Sequence, residues 1–488
     1  MRLHRLQDWY RGSAPWVKRL AGRCARLAPP GMLFGAAYRD TRELLRRTER
    51  WSADQHRAWQ LERLRELLVH CGAHVPYYRK VFAAAGFDPA RLADPAELRA
   101  LPYLTKETLR ADPAAFRAGT YRDDQLIRVT TGGSTGQPLG FLFDKARTRQ
   151  IEKAFLHDHW SRVGYRFGDP VAALRGAALP DGAIATVDAL LNTLVLSPFG
   201  LTAERAPDYL ARLDRFAPRF LWGYPSTLYQ LAQEIERQSL ARRFAPRAVI
   251  CASEKVFPFQ RRLLERVFQC RVTSYYGLSE YTVCGAECEG SSDIHLYPQY
   301  GFTELVPVEG ERATSADVQA AGGTAAGSPA PVCEIIATGF NNLAFPFVRY
   351  RTGDLAVPAS GDACAACGRH YPRLEDVIGR AAEFVVTRSG RLVSLTSLIF
   401  AQHFTAFERI RKLQLEQRQA GRLVVRVVKA PDFGAEDARE LERVIERCVG
   451  EGELDVELDD VEEIPATERG KHRFLIQGLD VGEVMPAT

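Results

Sequence analysis

No uninterrupted apolar stretch in the sequence approaches the ~20 residues that a membrane-spanning helix needs, so no transmembrane segment is expected. The opening Met1-Arg2-Leu3-His4-Arg5 leads into no apolar leader segment, and no secretory signal is expected either. Internal repeats are absent. So is the interleaving of basic and aromatic residues that marks a nucleic-acid surface, which removes nucleic acid as an expected partner. No Gly-Lys-Ser/Thr follows the one conspicuous glycine-rich loop, so it is not a Walker A loop, and the dinucleotide fingerprint spacing is also missing. Ten cysteines are few for 488 residues. Without an export signal they read as reduced thiols or metal ligands, and a cytoplasmic location is expected.

What is present is ordinary for a soluble globular protein: 46% hydrophobic and 26% charged residues. The length suggests about two to four structural units, with core enough to need no covalent staples. The net charge of +5 is uneven, because residues 1–50 hold twelve Arg or Lys against four Asp or Glu. That basic start reads either as a solvated helical face or as a peripheral contact with an anionic surface.

The chain divides into three stretches. Residues 1–117 read as helical, with Leu61, Leu64, Leu67 and Leu68 at helical spacing and Asp-Pro pairs as punctuation. Residues 118–379 alternate short β-branched runs with helical ones, which predicts an α/β core with mostly parallel sheets. Examples are Leu126–Thr130, the helix after Tyr224-Pro225, the strand at Ala248–Cys251 and the helix at Pro258–Phe268. Residues 380–488 restart as a small α+β domain. Gly322–Pro331 is a small polar loop.

Within the core, Thr130-Thr131-Gly132-Gly133-Ser134-Thr135-Gly136-Gln137-Pro138 follows a predicted strand. Its glycines permit close backbone approach, and its N–H groups and hydroxyls suit an anion such as a triphosphate. Taken alone, the loop is equally well a plain turn. Four further motifs follow it in order: Tyr275-Tyr276-Gly277-Leu278-Ser279-Glu280, Tyr350-Arg351-Thr352-Gly353-Asp354-Leu355, Ile378-Gly379-Arg380 and Gly470-Lys471-His472-Arg473-Phe474. The set resembles the adenylate-forming enzymes, and within them the phenylacetate–CoA ligase family. Val75-Pro76-Tyr77-Tyr78-Arg79 and Phe345-Pro346-Phe347-Val348-Arg349-Tyr350 are similar to its branch associated with capsular polysaccharide biosynthesis.

The resemblance implies a large N-terminal domain, a small mobile C-terminal domain, and ATP-dependent conversion of a carboxylic acid to an acyl-adenylate. Transfer to coenzyme A would follow; transfer to an amine or to a sugar precursor, or a non-catalytic scaffold, are the alternatives. It implies that Thr131, Gly132, Gly133, Ser134, Thr135 and Gly136 hold the phosphates, and that Glu280 places Mg2+, a hard cation that takes oxygen ligands. Tyr276 and Gly277 would lie against adenine, more loosely joined by Ser253 and Glu254. Asp354 would accept the ribose hydroxyls, Arg380 would reach the nucleotide from the interdomain linker, and Lys471 would bridge the attacking carboxylate and the 5′-phosphate. Trp222, Gly223, Tyr224 and Pro225 are expected walls of the acid pocket.

Cys364-Ala365-Ala366-Cys367 alone is equally a redox-active or an incidental pair. Cys288 and His295 form a second pair, and the resemblance, whose branch carries Cys and His at comparable places, implies a Cys3His set for structural zinc, with Cys284 as a spare. His157-Asp158-His159 invites a metal or base assignment, but the helical pattern around it reads as helix surface or pocket wall.

Overall fold

The computed structural model describes residues 15–130, 139–175, 179, 183–198, 201–312, 331–380, 384–390, 392–394, 398, 409–449, 452–465 and 472–479. The Gly322–Pro331 loop lies outside these except for Pro331. Among the described residues no helix is long and apolar enough to cross a membrane.

The N-terminal stretch is helical. Its longest helix, Ala53–His74, opens with a capping box in which Ser52 accepts the Gln55 N–H and the Gln55 side chain accepts the Ser52 N–H. Leu64, Leu67, Leu68 and Cys71 follow the helical period and share one buried face. They pack into a core with Phe345, Phe347 and Tyr350. Leu68 is fully buried, so truncating it to alanine costs about 2–5 kcal/mol. The basic opening is partly tied to the body: Arg26 donates to the Ala189 carbonyl at 3.1 Å, and Arg42 pairs with Asp158 at 2.7 Å.

Next come strands β1 (Leu126–Thr130) and β2 (Gly140–Asp144), an antiparallel pair with Thr130 opposite Gly140. A twelve-stranded sheet follows. In chain order its members are β3 (Val171–Leu174), β4 (Ala185–Asp188), β5 (Thr193–Leu196), β6 (Phe220–Gly223), β7 (Ala248–Ala252), β8 (Arg271–Gly277), β9 (Cys284–Ala286), β10 (Ile294–Leu296), β11 (Gly301–Arg312), β12 (Pro331–Gly339), β13 (Tyr350–Pro358) and β14 (Arg373–Arg380). The spatial order is β11-β12-β13-β14-β10-β9-β8-β7-β6-β3-β5-β4.

The expectation of mostly parallel strands describes only one part of this sheet. The run β5-β3-β6-β7-β8 is parallel, and every other pairing is antiparallel. The difference lies in the connections. Helices Pro225–Arg237 and Pro258–Phe268 carry the chain from β6 to β7 and from β7 to β8, the length that parallel crossovers demand. Between β8 and β10 the links have only a few residues, which permits antiparallel pairing alone. The β7 segment is buried along its whole length, as a strand covered on both faces must be.

After β14 come a short hairpin, β15 (Phe384–Val386) and β16 (Leu392–Ser394), and a four-stranded sheet. That sheet contains β17 (Ile410–Gln419), β18 (Arg422–Lys429), β19 (Asp455–Asp460) and β20 (Leu475–Gln477), in the order β19-β18-β17-β20. Helix Ala435–Val449 crosses from β18 to the parallel β19. Its Leu441, Val444 and Ile445 pack on Leu413, Leu415, Val425 and Val427.

Candidate functional site

The carboxyl ends of the parallel strands form one edge, where open α/β sheets bind ligands. β7 ends there and runs into Ser253 and Glu254; β8 ends in Tyr275-Tyr276-Gly277. Ser253 holds φ of +70°, a left-handed conformation that a non-glycine residue seldom adopts. One carboxylate oxygen of Glu254 accepts the Ser226 N–H at 3.1 Å, at the start of the helix over Pro225–Arg237, where the helix dipole favours negative charge. Lys255 reaches Asp376 at 2.7 Å and ties this loop to the strand that leads to Arg380.

Asp354 sits inside β13. The pairing of β12 with β13 slips there: Ile336 faces Arg351 and Glu334 faces Leu355, so Thr352-Gly353-Asp354 bulges opposite Ile335. Gly353 has φ of +73°, and the Thr352 hydroxyl donates to the Ile335 carbonyl at 2.7 Å while accepting the Asp354 N–H at 3.0 Å. Bulges re-aim side chains in this way beside active sites. The buried Asp354 carboxylate accepts the Tyr276 hydroxyl at 2.8 Å, and Arg380 is its backbone partner across β14. The Arg380 side chain lies outside the described residues.

Glu280 is also buried, and it accepts the Tyr350 hydroxyl at 2.8 Å. The neighbouring Tyr281 stacks on Phe143 of β2, with ring centroids 4.6 Å apart and planes 5° from parallel. The β1–β2 pair, whose facing ends Thr130 and Gly140 flank the glycine-rich loop, is therefore docked beside Glu280. Thr131, Gly132, Gly133, Ser134, Thr135, Gly136 and Lys471 themselves lie outside the described residues. Just after Lys471, His472 contacts the Leu413 carbonyl at 2.7 Å, and Phe474 meets Phe257 edge-on at 5.5 Å. Phe257 follows the Ser253–Lys255 loop, so the described part of the Lys471 motif packs beside the end of that loop.

The expected acid-pocket walls divide. Trp222 is half-buried, edge-on to Trp160 at 5.0 Å, and the Arg175 guanidinium lies 4.2 Å from its ring centroid. Gly223 serves the sheet instead: a Cβ there would lie 2.6 Å from the Leu174 carbonyl oxygen, a clash. Pro225 starts the helix over Pro225–Arg237 and is buried. Sequence reasoning missed Arg175, Glu152 and Lys153. A charge directly after the apolar run Val171–Leu174 was the available signal for Arg175.

His159 is not a surface residue. It is fully buried and bonded to the Thr273 hydroxyl at 2.9 Å, and burial holds it down to about 3, hence neutral. His157 is also buried and bonds the Tyr38 hydroxyl at 2.9 Å, while Asp158 takes Arg42 and the Tyr297 hydroxyl. His157 and Asp158 border a cavity of about 530 Å³.

Cys288, His295, Cys364 and Cys367 converge, with their ligand atoms all within 4.8 Å of one another. The Cys288 and Cys364 sulfurs are 4.0 Å apart, and Cys367 Sγ is 3.5 Å from His295 Nε2. Metal–ligand lengths of about 2.3 Å for Zn–S and about 2.0 Å for Zn–N place tetrahedral ligands about 3.8 Å (S···S) and about 3.5 Å (S···N) apart, so the set fits zinc. His295 Nδ1 is 2.9 Å from the Asp293 carbonyl, which orients Nε2 toward the cluster. Burial holds this imidazole down to about 4, in the neutral, ligating form. Burial pushes the Cys288 thiol up to about 11, whereas N–H groups of Arg369 outweigh burial at Cys367 and bring that thiol down. Arg369 also grips Glu289 at 2.6 Å and pairs with Glu49, and Arg50 donates to the Cys367 carbonyl at 2.6 Å, so the cluster joins three separate segments. The spare candidate Cys284 points elsewhere, toward the Tyr275 hydroxyl at 3.4 Å.

Three comparisons bear on this arrangement. Residues 385–478 match a family model described as the CapK C-terminal domain. Protein CapK of Staphylococcus aureus is 24% identical over 391 residues, covering 79% of this chain and 81% of that protein. Phenylacetate-coenzyme A ligase of Pseudomonas putida is 28% identical over 368 residues, covering 71% and 75%. Among solved structures, a 2-hydroxyisobutyryl-CoA ligase in the postadenylation state, in complex with R3-HIB-AMP, superposes with a TM-score of 0.67 at 21% identity, covering 88% of this chain and 91% of that one.

Proposed function

The chain is a homologue of CapK and the phenylacetate–coenzyme A ligases and has the fold of adenylate-forming ligases, and from that premise we propose that it joins a carboxylic acid to ATP as an acyl-adenylate and then passes the acyl group to coenzyme A. The observation that carries this reading is that two motifs interlock, Asp354 accepting the Tyr276 hydroxyl and Glu280 the Tyr350 hydroxyl, with the β1–β2 pair that flanks the glycine-rich loop docked beside Glu280 through Tyr281 and Phe143. In the first step a carboxylate oxygen of the acid bonds to the α-phosphorus and the bond to pyrophosphate breaks. In the second, the thiol sulfur bonds to the acyl carbon, AMP leaves and the thiol proton is released.

Positioning and charge neutralisation supply most of the catalysis in such a transfer. In our reading, backbone N–H groups of Thr131–Gly136 hold the outer phosphates, with the Ser134 and Thr135 hydroxyls assisting. Glu280 would hold Mg2+, a hard cation suited to a carboxylate oxygen, which would neutralise phosphate charge. Asp354 accepts the ribose hydroxyls, with Tyr276 and Gly277 against adenine and Ser253 and Glu254 shaping that wall. Lys471 and Arg380 come from the C-terminal side of a division we place at 379/380, so closure of residues 380–488 gates the first step. Cys288, His295, Cys364 and Cys367 would hold zinc as a structural brace about the tip of the β9–β10 pair.

Pyrophosphate release, measured over a panel of aryl and alkyl acids, tests the first step. Product masses with coenzyme A, an amine or a sugar precursor identify the acceptor. Release with at least one acid, and a coenzyme A thioester as product, is expected. No release with any acid from protein that binds ATP would overturn the reading.

A further inference from the structure

Arg349 stands just before β13 and combines two unfavourable features. Its φ is +51°, in the left-handed region that a residue with a side chain seldom occupies. Its guanidinium is buried, where a charge is costly unless it is paired and hydrogen-bonded. Separate segments converge to hold it. Nε and Nη2 donate to the two carboxylate oxygens of Glu304 on β11, at 3.0 and 2.9 Å, a bidentate pair that spans the intervening β12. Nη1 donates to the Leu101 carbonyl, and the guanidinium lies 4.4 Å from the Tyr103 ring centroid. The backbone N–H donates to the Thr338 hydroxyl of β12 at 3.0 Å, and the carbonyl accepts the Leu104 N–H at 2.9 Å.

What this corner fixes is the next residue. Tyr350 is fully buried, and its hydroxyl donates to Glu280 at 2.8 Å. It also opens β13, the strand that carries Asp354. Arg349 and Glu304 line a cavity of about 930 Å³ that includes none of the residues expected around the nucleotide. Their route to the site is therefore the chain itself, from Arg349 into Tyr350. Strain of this kind persists only where the surroundings over-determine it, and it gathers at functional sites. A buried ion pair adds little net stability over apolar packing of the same volume, so stability alone is a weak reason to keep one here.

We infer that Arg349, locked by Glu304, is a positioning residue for adenylation. The pair sets the left-handed corner that aims the Tyr350 hydroxyl, and through it the Glu280 carboxylate that would hold Mg2+. The inference rests on that proposed role of Glu280. A misplacement of about 1 Å transmitted from outside a site can slow chemistry about 100-fold, so a corner this far from the phosphates can matter.

Glu304→Gln tests it, because the amide keeps the size and one acceptor oxygen while losing the charge and the second hydrogen bond to Arg349. Per folded protein, kcat for pyrophosphate release should fall about 30-fold with the KM for the acid within about threefold. The free Mg2+ needed for half-maximal rate should rise about tenfold, which mere loosening of the β11 edge would not cause. Tyr350→Phe cuts the link to Glu280, so adding Glu304→Gln to it should lower kcat by no more than about threefold further, whereas independent effects would multiply. Thr338→Val deletes the acceptor of the Arg349 N–H and carries the same comparisons should Glu304→Gln fail to fold. A kcat and Mg2+ requirement within about threefold of the parent, or a full multiplication on the Tyr350→Phe background, overturns the inference and leaves adenylation standing. Calorimetry of ATP binding, with Mg2+ and with EDTA, separates it from the reading beneath it. If Mg2+ tightens ATP binding, and both Glu280→Gln and Glu304→Gln abolish that gain, the inference stands even if no acid is ever adenylated. If Glu280→Gln abolishes the gain and Glu304→Gln keeps it, the positioning role alone fails. If Glu280→Gln keeps the gain, the Mg2+ role of Glu280 fails and takes the inference with it.

Discussion

At the junction of β8 and β13 every carboxylate of the site is already answered: Asp354 by Tyr276, Glu280 by Tyr350. At the end of β3, Arg175 instead lies over the Trp222 ring, and the Lys153 ammonium is held below its ordinary value by burial and then by Arg175. Both regions lie along one edge of one sheet, yet they solve opposite problems. ATP is large and brings many contacts, so its carboxylates can be fixed in place by packing and exchange a hydroxyl for a ligand atom at little cost. A small acid brings few contacts, and a site that is electrostatically incomplete without it gains selectivity from that incompleteness. The cysteine–histidine cluster belongs with the second kind, since four ligand atoms within 4.8 Å have a dication as their natural counterpart.

The largest effect is therefore expected where the incompleteness is deepest. Metal analysis of the purified protein should give one zinc per chain. Cys364→Ser should lose it and cost about 4 kcal/mol or more in urea unfolding, because Arg369, Glu49 and Arg50 are braced through the same hairpin. Cys251→Ser, in the apolar β7, should keep the zinc. Equal zinc in both variants breaks the assignment.

Next comes the answered end. Glu280→Gln should lower adenylation about 100- to 1000-fold while shifting the unfolding midpoint little, since an amide oxygen still accepts the Tyr350 hydroxyl. Turnover within a factor of about three of the parent would remove Glu280 from the Mg2+ role and leave it a packing residue.

A smaller effect separates buried groups that need no ligand from those that do. Burial lowers His56 to about 4, His159 to about 3 and His472 to about 4, against an ordinary 6.5. The unfolded chain takes up these protons below pH 6.5 and the folded chain does not, so the stability they contribute is present above 6.5 and is lost as pH falls toward 4. Urea midpoints at pH 7.5, 6.5 and 5.5 should decline only across the lower interval, by up to about 1.4 kcal/mol per pH unit for each histidine. His159→Gln should flatten that slope; an unchanged slope would show that other groups set it.

Much of this was legible in the sequence where a local rule governs. The strand at Leu126–Thr130, the helices opened by Pro225 and Pro258, and the helix face of Leu64, Leu67 and Leu68 follow from short-range periodicity and capping. The convergence of Cys288 and His295 with Cys364 and Cys367 was readable because a Cys-x-x-Cys is itself a half-site and the family resemblance pointed to the other two residues. What escaped depends on pairing between distant strands. The bulge that lifts Asp354 out of an ordinary strand is set by the slip against Ile335. The antiparallel part of the sheet is set by link lengths, which composition does not display. Arg175 is a single charge in an unremarked position, and only folding sets it over Trp222.

The smallest expected effect bears most directly on the idea of an answered carboxylate. Tyr276→Phe keeps the ring that would lie against adenine and deletes only the hydroxyl that Asp354 accepts. If that hydroxyl merely parks the carboxylate until ribose arrives, its loss leaves Asp354 buried with its Thr352-held backbone and one acceptor short of a partner. Free protein then loses about 0.5–1.5 kcal/mol of stability, while ribose binding, which supplies hydroxyl donors, regains it. The KM for ATP should fall or stay within about threefold, and added ATP should raise the thermal midpoint of the variant more than that of the parent. If the phenol instead remains bonded to Asp354 during turnover and orients it, the KM for ATP rises by up to about tenfold and ATP stabilises the variant less. The two outcomes have opposite signs in the same pair of measurements, so they decide whether this end of the cleft is prepared by a partner that leaves or by one that stays.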